Sequence, residues 1–417
     1  MSVIERRGGF QAVVQYKDAR GKWRQRWGPK RDGKRAAEKD ETQLLADRDN
    51  NKPIQRDHET VEKFLRRWLA FKATDGTAEK TLQGYRDHIE TRWIPAIGHM
   101  HMTDLYANPD AIILVQTGWL TNGVEVRNRG REQKRHIPSS TTVHHYRATL
   151  HAALSDNQRW HGGNVPNPSA IVKGIPPLES EEEVITLSQE EVLLVIEAAA
   201  AEPWWSDMRT LAILFGLDTG MRPGEVYGVR KRDVDRARAR VQIHQTVIKL
   251  RGERPKVKPN HAKNRPSKAP VDLGDLGMAV LVRAAALQQQ QMQLAGDAWE
   301  DHNQLVFTNS LGGPLDEQQV RRWSDKLLEA AGATRIPVKN VRHTHATLLI
   351  EEGLDLKSVS ARLRHSRTSV TGNTYAHVTP PMQTRARATV SRVFPAPAQS
   401  ANGFIATLLP EVETEAQ

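Results

Sequence analysis

Glycine and proline crowd so closely in two places that neither helix nor strand is expected to run through them, which divides the chain before any motif is considered. Gly162-Gly-Asn-Val-Pro-Asn-Pro and Gly174-Ile-Pro-Pro, followed by the acidic run Glu179–Glu183, mark one boundary, and Asn50-Asn-Lys-Pro-Ile marks an earlier one. The 417 residues exceed what one ordinary core organises, so two or three domains are expected. A hydrophobic share of 38% suffices to build them.

Charge narrows the partners. Lys and Arg number 60 against 49 Asp and Glu, a formal charge of +11, which favours a polyanion such as nucleic acid, although an acidic protein would suit the charge alone equally well. The absence of cysteine excludes disulfides, Cys-ligated zinc, iron–sulfur clusters and thiol nucleophiles. Apolar runs such as Val192–Ile196 and Leu211–Leu217 fall short of a membrane span, and the first residues lack the apolar core of a signal peptide. A soluble, cytosolic protein is expected, with no membrane partner.

Each segment has its own pattern. The first 36 residues carry Arg6, Arg7, Lys17, Arg20, Lys22, Arg24, Arg26, Lys30, Arg31, Lys34 and Arg35 against Glu5, Asp18 and Asp32. Within them Phe10–Tyr16 reads as a strand, Asp18–Gly21 as a turn and Lys22–Trp27 as a second strand, with Trp23 on one face and Arg24 and Arg26 on the other. A solvated hairpin packed on a helix over Arg35–Asp47 is the plainer reading. A sheet with one basic face entering the DNA major groove is the functional one. Beyond the first linker, Thr60 is placed to cap a helix whose Val61, Phe64, Leu65, Trp68 and Leu69 share a side, and helices follow over Thr81–Glu90 and Thr142–Leu154. His144 and His145 are adjacent and read as surface residues rather than metal ligands. Ser188-Gln-Glu-Glu opens a helix as a capping box, strands are expected at Arg240–Leu250 and Ser267–Leu273, and Gln288–Gln291 is expected on an exposed helical face.

The chemistry resides in the last segment. In Leu217-Asp-Thr-Gly-Met-Arg-Pro-Gly-Glu-Val, Gly220 suits a helix C-terminus, Pro223 a first helical position and Glu225 the first turn, so Arg222 is fixed between two helices. Lys263 lies in a basic turn, Lys339-Asn-Val-Arg-His-Thr-His opens a helix, Leu363-Arg-His-Ser follows, and Asn373-Thr-Tyr-Ala-His-Val comes ten residues past His365. Taken singly, each has a bland role: Arg222 and Lys263 as solvated loop charges, Tyr375 as a packed aromatic, His343 and His345 as one packed and one exposed side chain. Taken together, two arginines can clamp a phosphate, and a tyrosine with a suitable base can attack it. No acidic cluster suggests a metal-activated water.

This ordered set resembles the tyrosine recombinase, or phage integrase, family over residues 186–380. The resemblance implies catalytic roles for Arg222, Lys263, Arg342, His365 and Tyr375, and puts Lys339 where the family usually has the histidine of His-x-x-Arg. A lysine there can still donate to a phosphate oxygen but is a poor base near neutrality. A second departure is Arg364, where the family has the glycine of Leu-Gly-His-Ser. Lys263 is the implied general acid for the leaving 5′-oxygen, and His365 accepts the tyrosine proton or donates to phosphate. The implied fold is multidomain and mainly α with small β-sheets. It comprises a small β+α N-terminal arm-type DNA-binding domain (1–50), an all-α core-binding domain (58–165), a mixed α/β catalytic domain (180–385) and a C-terminal tail (386–417). Double-stranded DNA, a homotetramer on it and an accessory directionality factor are the implied partners, with no cofactor and no metal. A catalytically inactive DNA-binding protein and a type IB topoisomerase are the alternatives.

Overall fold

A computed structural model of the chain describes residues 3–5, 8–17, 23–49, 59–126, 134–172, 174–175, 184–259, 269–300 and 304–365. Lys263, Tyr375 and the tail from 386 lie outside the described residues. The chain forms two compact units, Met1–Glu181 and Glu182–Gln417.

The first unit opens with the antiparallel strands β1 (Val3–Glu5), β2 (Phe10–Lys17) and β3 (Trp23–Trp27) in that order, followed by α1 (Lys34–Asp49). Ala12 and Val14 are buried with Leu44 of α1, so the helix covers their face of the sheet. The register sets Val14 opposite Arg26 and Val13 opposite Trp27. Directly opposed residues point the same way, so Arg26 lies on the helix side and the other face presents Trp23 and Trp27, 63% and 41% exposed. Trp23 and Arg26 thus lie on opposite faces, as the alternation implies, and α1 covers the face that carries Arg26.

A helical body follows. Its elements are α2 (Val61–Thr74), α3 (Glu79–His88), a π-turn (Ile89–Trp93), α4 (Ile94–Ile97), α5 (Met102–Ala107), α6 (Asp110–Asn122), the short hairpin β4 (Val124–Val126) with β5 (Lys134–His136), α7 (Ser140–Trp160) and α8 (Pro168–Ile171). Thr60 caps α2 through its side chain, and the five apolar residues expected to share a side are all buried. Trp68 Nε1 donates to buried Asp156 at 2.8 Å, and Lys72 pairs with the same carboxylate at 3.1 Å, so a charge inside this core is matched. The hairpin amends the all-helical reading. The Gly/Pro stretch does not leave the body at once, because Arg147 of α7 donates to the carbonyls of Ser169 and Val172 at 2.5 and 2.6 Å.

The second unit is built around α10 (Met208–Thr219), which is buried on nearly every side because its residues are apolar all round. Before it stands α9 (Gln189–Ala200), opened by the Ser188–Glu191 capping box, and after it α11 (Pro223–Tyr227). Strands β6 (Val234–Asp235), β7 (Arg240–Val241) and β10 (Val271–Asp272) form one small sheet; β8 (Gln245–Ile248) and β9 (Lys256–Pro259) form another. The strand region expected over Arg240–Leu250 holds two short strands, β7 and β8, which belong to different sheets. The remaining helices are α12 (Asp275–Ala295), α13 (Glu317–Ala330), α14 (Val341–Glu351) and α15 (Leu356–Arg362), and α12, α13 and α14 all pack on α10. The glutamine run is corrected at one position: Gln289 and Gln290 are exposed as expected, but Gln288 is buried and donates to the Leu305 carbonyl at 2.9 Å, serving α12 as an internal hydrogen-bonding post. Among the described residues no helix is long and apolar enough to cross a membrane.

Candidate active site

The site grows from the end of α10. Gly220 terminates that helix in the left-handed region at φ 63°, where a glycine carries no Cβ penalty. The chain then extends through Arg222, Pro223 starts α11, and the Glu225 carboxylate turns back to accept from the Arg222 backbone N–H at 3.0 Å. Glu225 also meets the Arg222 guanidinium at 3.2 Å, leaving the arginine side chain 49% exposed. Arg222 is held at its base and open at its tip.

Arg342, in the first turn of α14, lies inward and is buried. Its Nη1 donates to the carbonyl of Gly220 at 2.7 Å and its Nη2 to the carbonyl of Leu363 at 2.6 Å. Gly220 is two residues before Arg222, and Leu363 two before His365. One guanidinium therefore fastens together the two segments that carry Arg222 and His365.

His365 leaves the end of α15 through a tight cap: the N–H of Arg364 donates to Ala361 and the N–H of His365 to Ser360, with Arg364 left-handed at φ 58°. Its imidazole is pushed down to about 4 by burial first, then by Arg342, Arg222, His343 and Arg364. Both catalytic arginine candidates thus act on the ring electrostatically. At neutral pH the ring is uncharged, with one nitrogen able to accept a proton. An arriving phosphate anion opposes the arginine fields and makes the ring more basic.

Lys339 is exposed on the 3-10 turn Val338–Asn340, and the α-helix begins two residues later than the Lys339 segment suggests. Burial lowers the basicity of half-buried His343, with the charges of Arg342 and then Lys339 adding to the effect. His345 is the packed member of the histidine pair. Its Nδ1 lies 2.7 Å from the Leu217 carbonyl and its Nε2 accepts from Arg362 Nε at 3.0 Å, which fixes a neutral tautomer. Arg362 also donates to the carbonyl of Asp218 at 2.8 Å. His345 and Arg362 thus lock α14 and α15 to the end of α10, a task the motif reading did not assign them. The only signal in sequence was their nearness to the motif residues.

Sequence position brings Arg222, Arg342 and His365 into no obvious proximity; the fold does. Residues 186–381 match the model of the Phage integrase family. The chain carries a phage integrase family domain. The segment bearing this integrase domain includes all six candidate positions. A XerC-like tyrosine recombinase of Caldanaerobacter subterraneus subsp. tengcongensis is 30% identical over 233 residues, which are 54% of this chain and 58% of the relative. The alignment thus spans little more than half of that protein. Among solved structures, the Tn1549 transposon integrase in complex with a circular intermediate DNA superposes with a TM-score of 0.62 at 15% identity, over 80% of this chain and 99% of that one. A lambda integrase tetramer bound to a Holliday junction gives 0.50 at 18% identity, over 89% and 95%. At such identities the likeness is one of fold, mainly helical with small sheets.

Proposed function

We propose that the protein is a site-specific tyrosine recombinase that cleaves and rejoins DNA through a 3′-phosphotyrosyl link to Tyr375, in the integration or excision of a phage or mobile element. The observation that supports this most is the Arg342 guanidinium joining the Arg222 loop to the His365 loop, since cleavage of a phosphodiester needs convergent positive charge on the non-bridging oxygens. The choice of nucleophile is supported by elimination within the second unit, whose tyrosines are Tyr227 and Tyr375. Tyr227 is buried in the core, and burial pushes its hydroxyl up in pKa, so it neither reaches DNA nor ionises readily.

In the proposed step the Tyr375 oxygen attacks phosphorus, forming the O–P bond as the bond from phosphorus to the 5′-oxygen breaks. His365, neutral in this field, takes the phenolic proton or donates to phosphate, while Arg222 and Arg342 hold the oxygens. Lys263 protonates the leaving 5′-oxygen and Lys339 adds a cation at the rim. Attack by a 5′-hydroxyl of the partner strand reverses the step and releases Tyr375. The link conserves the energy of the broken bond.

The wider proposal assigns 1–50 to arm-type DNA binding, 58–165 to core-site binding, 180–385 to catalysis and 386–417 to a tail. It places a homotetramer on two DNA sites in a prokaryotic cytosol or nucleoid, with an accessory factor setting direction. The lambda integrase tetramer on a Holliday junction supports the oligomer by analogy of fold.

Tyr375→Phe removes one oxygen and keeps the ring. With DNA taken from the flanks of the gene, the variant is expected to shift mobility as the parent does but to give no covalent adduct after denaturation and no recombinant product. The parent is expected to form adducts in excess EDTA, on flanking DNA and not on an unrelated plasmid. An adduct surviving in the variant would refute the nucleophile. Relaxation of any plasmid would make the enzyme a topoisomerase, and no adduct at all an inactive DNA binder.

A further inference from the structure

The position where the family pattern calls for glycine holds Arg364, and three features of it are unusual together. Its backbone is left-handed at φ 58°, a conformation strained for any residue with a side chain. Its side chain is 1% exposed. Its Nη2 donates to Glu225 Oε2 at 2.5 Å. The helix cap itself needs only the N–H groups of residues 364 and 365, which a glycine would supply without strain. The cap therefore does not account for the arginine, whereas the carboxylate does.

Glu225 is the hinge of the argument. Its side chain is 9% exposed, and it receives the Arg222 backbone N–H at 3.0 Å, the Arg222 guanidinium at 3.2 Å and the Arg364 guanidinium at 2.5 Å. The shortest contact comes from the sealed arginine and the longest from the half-exposed one. An interior carboxylate attracts whichever cation is in reach. With Arg364 absent, the Arg222 guanidinium is the remaining cation bonded to Glu225 and is drawn toward it, away from solvent and from any phosphate there. The same contact also ties the His365 loop to α11, next to the point where Arg342 grips Leu363.

We propose that Arg364 is a positioning residue, one that takes up the charge of Glu225 from the interior so that Arg222 stays turned outward to the scissile phosphate. Being sealed from solvent, it does not touch the substrate. The inference rests on the strand-cleavage reading given above and concerns residues outside the set that reading employs.

The test uses full-length chains and a nicked suicide duplex from the flanking DNA, measuring duplex affinity by mobility shift and single-turnover adduct formation separately. Arg364→Gly keeps the cap and removes the cation; Arg364→Lys keeps a cation; Arg364→Gly with Glu225→Gln removes both charges. Arg364→Gly is expected to bind duplex within about twofold of the parent but to cleave roughly 10- to 100-fold more slowly, the scale of a positioned group displaced by an ångström or less. Arg364→Lys and the double variant are expected to recover most of the rate. Parental cleavage by Arg364→Gly overturns the proposal. So does a double variant that is folded by circular dichroism yet as slow as Arg364→Gly, and should the single variant not fold, slow cleavage by the folded double variant decides against it in the same way. A parent that forms no adduct on this duplex refutes the strand-cleavage reading itself, and the positioning role with it.

Discussion

Replacing Gly220 by alanine tests whether the end of α10 is the fixed point of the site. Two costs can be read from the structure. Gly220 is left-handed at φ 63°, which charges a Cβ about 1–2 kcal/mol. That Cβ would also stand 2.5 Å from His345 Cδ2 and 3.0 Å from Nε2. The ring cannot withdraw cheaply, because its two nitrogens are engaged by Leu217 and Arg362. Overpacking of this kind costs about 1–3 kcal/mol, so the total is about 2–5 kcal/mol. Gly332 is the matched control, since it is left-handed at φ 64° with nothing within 4 Å of its built Cβ. Gly332→Ala should lose only the backbone part, about 1–2 kcal/mol. Native-state hydrogen exchange of the α10 amides measures both variants in the same unit. Since the Gly220 carbonyl also receives Arg342, adduct formation should fall in Gly220→Ala and not in Gly332→Ala. Stabilities of the two variants agreeing within about 0.5 kcal/mol would refute the reasoning.

His345 yields a pH dependence. Its pKa is depressed from 6.5 to about 4, by burial and then by Arg362, so between these values the unfolded chain binds more protons than the folded one. Stability therefore rises with pH across that window and is lost as pH falls from about 6.5 toward 4, by about 3 kcal/mol from this group; unfolding free energies of the parent and of His345→Gln should diverge as pH rises through the window, and parallel curves would exclude the effect. For Lys339, exposed beside α14, Lys339→His should retain substantial recombination and Lys339→Ala should lose more. Parental recombination by Lys339→Ala would make it a surface lysine without a part in the reaction.

Helix ends were readable residue by residue. Thr60 at α2, the Ser188–Glu191 box at α9 and Gly220 at α10 stand as expected, because a cap is decided by side chains and N–H groups within four positions of one another. The buried side of α2 was readable for a similar reason, the helical period. Patterns became ambiguous where two faces competed for one partner. The covering of the sheet face that Arg26 occupies was settled by α1 packing over Ala12 and Val14, and Gln288 lies inside where its amide donates to the Leu305 carbonyl and the Thr308 hydroxyl.

By itself the sequence determined the list of candidate residues, the caps of α2, α9 and α10 and the two departures from the family pattern at Lys339 and Arg364. What those departures do was decided by tertiary structure alone. Arg342 meets Gly220 across 122 positions of chain, and Arg364 meets Glu225 across 139. No local period or cap encodes such pairs. They exist because the chain, once folded around α10, buries a carboxylate and two guanidinium groups together, and burial makes each of them require a partner.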